Sequence, residues 1–161
     1  MITIIPSIEV MKAVIDDNIT SSSSNIRRIA FDTATELMSL SNVDVLLEGI
    51  LYNKIKAKLL PDQQLFFEKI YRIDNSAKDL TDYDIIKAIK WIAKSESNSR
   101  KVLILSENTL DYKSVCNETY IRCVTPSQFL GSVEQAQKLY SAKIFSTLED
   151  SLMAVLFILS N

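Results

Sequence analysis

The sequence predicts an α/β fold with three layers, in which helices cover both faces of a small, mainly parallel sheet. Segments with helical periodicity alternate along the chain with short strand-like segments, and this order is typical of parallel sheets. The segments at 102–105 and 120–124 are apolar almost throughout, as expected for strands that are buried on both faces. The length of 161 residues suits one ordinary domain, and we expect a single domain over residues 1–161.

The first part of the chain predicts one strand and two helices. Residues 1–5 form a short apolar strand, which Pro6 ends. Apolar residues then recur at helical spacing after Ser7, which can cap the helix. The polar run at 16–25 indicates a surface loop or a helix-capping segment, and residues 26–37 show a three-four periodicity that favours a helix.

The middle of the chain predicts three further helices. Val43 starts an apolar segment whose front half could be a short strand, and an amphipathic helix follows from about Leu47. Pro61 opens the next helix, and the helix at 81–93 begins with carboxylates. The side chains expected to face the core from the Pro61 helix are Leu65, Phe66, Ile70 and Tyr71.

The last part predicts the two buried strands and two helices. One helix covers residues 127–141, and Ser146 with Glu149 fits a capping box that opens another. The last helix is apolar on almost every side, and residues 142–161 are expected to add it to the domain. A helix without a polar face is either enclosed in the core or covered by another chain. The sequence therefore leaves open a homodimer or a protein partner through this helix.

Composition excludes several classes of enzyme. The chain has no histidine, so Ser–His and Cys–His nucleophile pairs and imidazole-based zinc sites are ruled out. With only two glycines and no G-x-G-x-x-G or Walker pattern, a glycine-rich phosphate loop is not expected. Cys116 and Cys123 are seven residues apart, and we interpret them as buried thiols rather than as metal ligands or a disulfide.

Charge and hydropathy bear on partners and location. The net charge is −2 and the pI is about 5.2, so nucleic-acid binding would need local patches of lysine. The candidates are 54–58, 87–94 and 100–101, although such clusters are more often solvated surfaces. The N-terminus lacks a signal-peptide pattern and the longest apolar run is too short for a bilayer, which predicts a cytoplasmic protein without a membrane contact.

Polar residues follow several of the predicted strands or open the helices between them. Ligands of parallel sheets bind outside the carboxyl ends of the strands. The catalytic candidates there are Glu48, Asp82, Asp84 and Glu107, and the nearby candidates are Ser7, Glu9, Ser106 and Asn108. If Glu48, Asp84 and Glu107 converge, they can bind Mg²⁺ or Mn²⁺ and activate water for attack on a phosphodiester. The ordinary alternatives are helix caps for the aspartates, an exposed position within a helix for Glu48, and turn formation after the 102–105 strand.

The order of these features resembles that of the PIN domain, a metal-dependent ribonuclease fold found in many toxins of toxin–antitoxin systems and in RNA-processing factors. The segments that carry the resemblance are ILSEN at 104–108, YIRCVTPSQFL at 120–130 and DYDIIKAIKWIA at 82–93, with VDVLLEGIL at 43–51 compatible.

The resemblance also implies where the family's four acidic positions fall. The first falls on Pro6, followed by Ser7 in a hydroxyl position, and either Glu9 or Asp32 could replace it. The second falls on Glu48 and the third on Asp82 or Asp84. The fourth falls on Asn108, or on Glu107 with a shift of one residue.

Two of the four acids are therefore lost or altered, and fewer carboxylates lower metal affinity and the activation of water. The resemblance implies a PIN-like protein that has lost or weakened its nuclease activity and acts as an interaction module for RNA or protein. The alternative is an active Mg²⁺- or Mn²⁺-dependent ribonuclease, with Glu48 and Asp82 or Asp84 as ligands and Glu107 as ligand or water-positioning base.

Overall fold

A five-stranded sheet forms the middle layer of the protein. The structure is a computed structural model that describes residues 1–16, 21–40, 42–75, 81–116 and 120–159. The strands found there are β1 (Ile2–Pro6), β2 (Val43–Glu48), β3 (Arg72–Asp74), β4 (Lys101–Leu105) and β5 (Ile121–Val124). All four pairings are parallel, and the order across the sheet is β3-β2-β1-β4-β5.

The central strands are apolar because both of their faces are covered. β1 and β4 pair along their whole length, from Ile2 opposite Lys101 to Pro6 opposite Leu105. Every residue from Val102 to Leu105 is fully buried, and β1 is buried throughout. Parallel strands with helices on both faces require such continuous apolar runs, so the sequence pattern of these strands follows from their place in the sheet.

Seven α-helices surround the sheet in the described part of the chain. They are α1 (Ile8–Ile15), α2 (Ser22–Leu40), α3 (Gly49–Lys56), α4 (Pro61–Ile70), α5 (Asp82–Glu96), α6 (Pro126–Ser141) and α7 (Leu148–Ala154). A 3₁₀ helix (Thr109–Tyr112) and a π-helical turn (Val155–Leu159) complete the set. α2 packs on β2 and α6, whereas α5 packs on β1, β2 and β4. The predicted three-layer α/β/α architecture is confirmed.

Several predicted boundaries need correction. α2 begins at Ser22, inside the run at 16–25 that was predicted as a surface loop or a helix-capping segment, and 17–20 of that run lie outside the described residues. β2 extends to Glu48, so α3 begins at Gly49 rather than near Leu47. The short strand β3 was not predicted. The helix over 26–37 is confirmed as part of α2.

The predicted core face of α4 is partly wrong. Leu65 and Phe66 are 61% and 63% exposed, whereas Phe67 is buried. Phe67 stacks on Tyr52 and packs against Tyr71, with ring centroids 4.8 Å and 4.3 Å apart. These aromatic contacts turn Phe67 inward and leave its two neighbours in solvent.

Most of the apolar side chains in the last helical segment, from Leu152 to Phe157, are enclosed by the chain itself. Thr147 caps α7 by accepting a hydrogen bond from the backbone N–H of Asp150, one residue later than the predicted Ser146 cap. Leu152, Leu156 and Phe157 are buried in the main core. The apolar composition of this segment therefore needs no second chain to explain it, and the predicted partner contact stays a prediction.

None of the described helices combines the length and the apolar character that a membrane crossing requires. The cytoplasmic location inferred from the sequence stays a prediction.

Candidate functional site

The strand order reverses direction between β1 and β4. From β1 the chain moves through α1 and α2 to β2 on one side, whereas β4, on the other side, is reached from β3 through α5. In open parallel sheets a crevice forms at such a reversal, outside the carboxyl ends of the two strands, and ligands bind there. Ser7 follows β1 and donates its backbone N–H to Leu105 O at 2.9 Å, so the ends of both strands meet at this point.

Glu9 gathers the polar residues at this edge. Its carboxylate Oε1 accepts hydrogen bonds from Ser106 Oγ at 2.5 Å, from the Glu107 N–H at 2.8 Å and from the Asn108 N–H at 3.4 Å. The Asn108 N–H also donates to Ser106 Oγ at 3.0 Å. We call Ser7, Glu9, Ser106, Glu107 and Asn108 the strand-end cluster. The structure thus brings together all four predicted nearby residues and one of the four predicted catalytic acids.

Glu9 is held as a carboxylate. Burial raises its pKa, but the Ser106 hydroxyl and the backbone N–H groups of Glu9 and Glu107 outweigh burial, so the net pKa lies below the ordinary value of 4.5. The Ser7 hydroxyl also lies close enough to favour the charged form, yet its Oγ is not aligned for a hydrogen bond. Ser7 is fully buried, and its hydroxyl has no hydrogen-bond partner among the described residues.

Glu9, and not Asp32, lies at the carboxyl end of β1. Pro6 is the last residue of that strand, as the sequence implied, and Glu9 is in the first turn of α1. Asp32 is an exposed residue in the middle of α2. Of the two possible replacements for the missing first acid, only Glu9 contacts the end of β4.

Glu107 has a cationic neighbour that the sequence did not reveal. The Arg27 Nε lies 3.8 Å from Glu107 Oε1, and both side chains are about a quarter to a third exposed. This ion pair joins the start of α2 to the end of β4. Arg27 and Arg28 are adjacent in an amphipathic helix, and only the packing of α2 decides which of them reaches the cluster.

Glu48 caps a helix from inside the protein. It is the last residue of β2 and is fully buried. Its Oε1 accepts the Ile50 N–H at 2.9 Å and its Oε2 accepts the Leu51 N–H at 3.2 Å. The expectation of an exposed position within the helix is therefore corrected, because both carboxylate oxygens hold the first turn of α3.

Asn75 is a second residue that the sequence did not reveal. It follows β3 and lies so close to Gly49 that a Cβ at Gly49 would be 3.0 Å from the Asn75 Cα and would overlap its side chain. Position 49 therefore admits only glycine without displacing Asn75. The close approach places an amide beside the buried Glu48 cap.

The two candidate aspartates lie at the start of α5 with partners of their own. The Asp82 carboxylate is 3.3 Å from the Nζ of Lys12, which belongs to α1. Thr81 is the N-cap of α5: its Oγ1 accepts the Asp84 N–H at 3.2 Å and also contacts Asp84 Oδ2. Both aspartates thus lie in the first turn of α5, where the helix dipole favours them, and Asp84 also takes part in the Thr81 cap.

The donors do not fit the predicted metal site as they are arranged. Glu48, Asp84 and Glu107 were its expected ligands, and each has a protein partner. Among residues 1–16, 21–40, 42–75, 81–116 and 120–159, no group of three or more Asp, Glu or Cys side chains could hold one ion. The Mg²⁺ or Mn²⁺ cofactor stays a prediction.

The two cysteines are free and partly buried, as the sequence indicated. Cys123 hydrogen-bonds to Cys116, which lowers the pKa of Cys116 and raises that of Cys123. They pack against the core beside β5.

A second polar surface lies on the solvent side of α5. Ile85, Ala88, Ile89, Ile92 and Ala93 are buried against the sheet. The opposite side carries the residues that we call the α5 outer face, namely Tyr83, Lys87, Lys90, Trp91 and Lys94. Tyr83 and Trp91 are 72% and 59% exposed. None of the three lysines forms an ion pair within the described residues.

Comparison with known proteins leaves the family open. The chain matches no protein-family model, no curated protein and no solved structure.

Proposed function

We propose that this chain is a PIN-like protein with lost or weakened nuclease activity, and that it acts as an interaction module for single-stranded RNA. The observation that carries this proposal is the α5 outer face, where three lysines without an ion pair in the described part of the chain lie among two exposed aromatic rings. Single-stranded nucleic acids bind to surfaces of this kind through phosphate contacts with lysines and stacking of bases on aromatic rings.

The acidic net charge of the protein does not oppose RNA binding at α5, because the local charge there is different. Between Tyr83 and Lys94 the only acidic residue is Asp84, which is engaged with the N-cap Thr81. The remaining charge on this side of α5 is positive. Exposure of the apolar Trp91 ring to water is unfavourable in the free protein, and stacking on a base offsets that cost.

The acids at the carboxyl edge of the sheet support the loss of catalysis. Glu9 accepts three hydrogen bonds, Glu48 caps α3 and Glu107 pairs with Arg27. Carboxylates that already hold backbone N–H groups or an arginine have fewer lone pairs for an ion. We infer that these acids stabilise the carboxyl edge of the sheet in place of metal chemistry.

Fluorescence of Trp91 tests RNA binding directly, because it is the only tryptophan in the chain. Titration with a single-stranded oligouridine should quench and shift its emission. With three lysine contacts, log K should fall with log salt at a slope of about −2. A duplex RNA of equal charge should quench much less, since its bases are not free to stack.

Substitutions separate the α5 outer face from the rest of the surface. Lys90→Glu should weaken RNA binding about tenfold or more, and Trp91→Ala should cost about 1–3 kcal/mol of binding free energy by anisotropy. Lys54→Glu is the matched control, because Lys54 is an exposed helical lysine without an ion pair in the described residues. Equal losses for Lys54→Glu and Lys90→Glu, or no quenching at all, would refute an RNA contact on α5.

The alternative function is a Mg²⁺- or Mn²⁺-dependent ribonuclease. One observation favours it: the strand-end cluster lies where the strand order reverses, and the buried Ser7 hydroxyl has no hydrogen-bond partner in the part of the chain that the structure describes. Millimolar Mn²⁺ should raise the unfolding free energy of a competent site by about 1 kcal/mol or more through mass action, and Glu107→Gln should remove that gain. We expect no such gain and no cleavage of RNA.

A further inference from the structure

A groove with a mostly apolar lining lies between α2 and α4 on the outer surface. Its volume is about 420 Å³. The residues that line it, which together define the α2–α4 groove, are Thr35, Glu36, Met38, Ser39, Val43, Asp44, Phe66 and Ile70. These residues belong to two neighbouring helices and the start of β2, far along the chain from the α5 outer face.

Phe66 gives the groove an exposed anchor. It is 63% exposed although its neighbour Phe67 is enclosed in the core, and Leu65 beside it is 61% exposed. Ile70 lies one turn further along α4 and lines the groove with Phe66. Exposed large apolar side chains that adjoin a concave surface mark interaction sites on soluble proteins.

The polar groups of the groove are satisfied within the chain, with one exception. Thr35 Oγ1 donates to Phe31 O at 3.0 Å, and Ser39 Oγ donates to Glu36 O at 2.7 Å. Asp44 is paired with Arg100 at 2.5 Å and with Arg72 at 3.4 Å. These groups therefore need no hydrogen bond or counter-ion from a ligand.

The exception is the Glu36 carboxylate, which has no ion pair in the described residues. Asp32 lies one turn before it on α2. Burial raises the pKa of Asp32, Arg28 lowers it, and Glu36 raises it again, with a net rise. Two carboxylates on one turn repel each other, and a cation from outside would relieve that repulsion.

We propose that the α2–α4 groove binds a basic amphipathic helix of a partner protein. An apolar side chain of that helix would pack against Phe66, Ile70 and Met38, while a flanking lysine or arginine would pair with Glu36. A third helix resting between two others is the common way in which an amphipathic segment docks in a groove. The unpaired Glu36 disfavours RNA here, so this surface and the α5 outer face recognise partners of opposite charge.

Labelled synthetic peptides test this proposal on the full chain. The first is a 14-residue helix of leucine and lysine with all leucines on one side, and the second replaces every lysine with glutamate. A third has the composition of the first in a non-amphipathic order. Anisotropy should show saturable binding of the first peptide alone, with little or none for the other two.

Two substitutions place the binding in the groove. Phe66→Ala should weaken the leucine–lysine peptide about tenfold, and folding should be unaffected because the ring is mostly in solvent. Glu36→Lys should weaken that peptide about tenfold and strengthen the leucine–glutamate peptide. The control for Phe66→Ala is Leu110→Ala, at an exposed apolar residue away from the groove. The control for Glu36→Lys is Glu134→Lys, on α6. Both control variants should bind the peptide as the unaltered chain does.

Three results would overturn the proposal. One is the absence of saturable binding of the leucine–lysine peptide. Another is binding that Phe66→Ala and Glu36→Lys leave unchanged, which would place the peptide elsewhere. The third is a dimer in sedimentation that Phe66→Ala converts to a monomer, since the groove would then hold a second copy. Trp91→Ala should not alter peptide binding, so a failure here is distinct from a failure of the RNA proposal.

Discussion

The carboxyl edge of the sheet and the outer helices use their polar residues in different ways. At the edge, Glu9 holds the backbone after β4, Glu48 holds α3, and Glu107 pairs with Arg27. On the outer helices, Lys90 and Glu36 have no charged partner within the described residues. The edge resembles a binding site in its position, whereas the outer helices carry the charges that are free to bind.

This difference shows that the position of a polar residue in a fold does not decide whether that residue is free to bind a ligand. Parallel sheets bring polar residues to one edge whether or not a ligand binds there. At that edge the chain must also satisfy backbone N–H groups at two helix starts, and carboxylates do this well. We therefore expect substitutions at the edge to change stability, and substitutions on the outer helices to change binding.

The largest effect should follow Glu48→Ala. This change removes the acceptor for the Ile50 and Leu51 N–H groups inside the protein, and unsatisfied buried donors are costly. We expect the free energy of unfolding to fall by about 3 kcal/mol, as measured by urea denaturation. Glu48→Gln keeps one oxygen acceptor and should cost about 1 kcal/mol. A gain in stability for either variant would mean that Glu48 is held for function at the expense of the fold.

Gly49→Ala should come next. The added Cβ would overlap the Asn75 side chain, and overpacking of this kind costs about 1–3 kcal/mol. Asn75→Ala in the same chain should restore part of the loss. The matched control is Gly131→Ala in α6, where an added Cβ meets nothing within 4 Å. That substitution should raise stability by up to about 1 kcal/mol, because alanine favours a helix, and equal losses at both glycines would contradict the Asn75 contact.

Glu9→Gln should have a smaller effect that depends on pH. The pKa of Glu9 is lowered in the folded protein, so its contribution is present above the unfolded value of 4.5 and is lost as the pH falls through the folded value. We expect the variant to be about 1–2 kcal/mol less stable at pH 7, since its amide is a weaker acceptor than a carboxylate. Urea denaturation at pH 7 and at pH 3 should show that the difference shrinks in acid. A constant difference would mean that Glu9 does not act through its charge.

The smallest effect on stability should belong to the α5 outer face. Lys90→Glu and Trp91→Ala alter a surface whose lysines form no ion pair with any described residue, so the free energy of unfolding should stay within about 0.5 kcal/mol of the unaltered chain. Thermal melts measure this. A loss of several kcal/mol would show that these side chains support the fold. Substitutions at these positions would then not test binding separately from folding.

The sequence was sufficient to predict the layers of the fold because the central strands are continuous apolar segments. Runs such as VLIL at 102–105 leave only a strand enclosed on both faces. β3 was not predicted because it has only three residues, two of them exposed, and so shows no hydrophobic periodicity. The face of α4 was misjudged because Leu65, Phe66 and Phe67 are consecutive, and only contacts with Tyr52 and Tyr71 decide which of them turns inward.

The candidate site was predictable in its position and not in its contacts. Ser7, Glu9, Ser106 and Asn108 could be placed near one another because they follow two strands of a parallel sheet. Their hydrogen bonds depend on where α1 starts relative to β4, which no periodicity encodes. Arg27 and Asn75 reach this edge from distant parts of the chain, through packing alone.

One RNA titration compares the two regions most directly. Oligouridine is titrated into Glu9→Gln and Lys90→Glu at the same salt concentration, and Trp91 emission is followed in both. We expect Glu9→Gln to bind with the affinity of the unaltered chain and Lys90→Glu to lose tenfold or more. The reverse result, with RNA binding lost at Glu9 and kept at Lys90, would move the functional surface from the outer helix to the edge of the sheet.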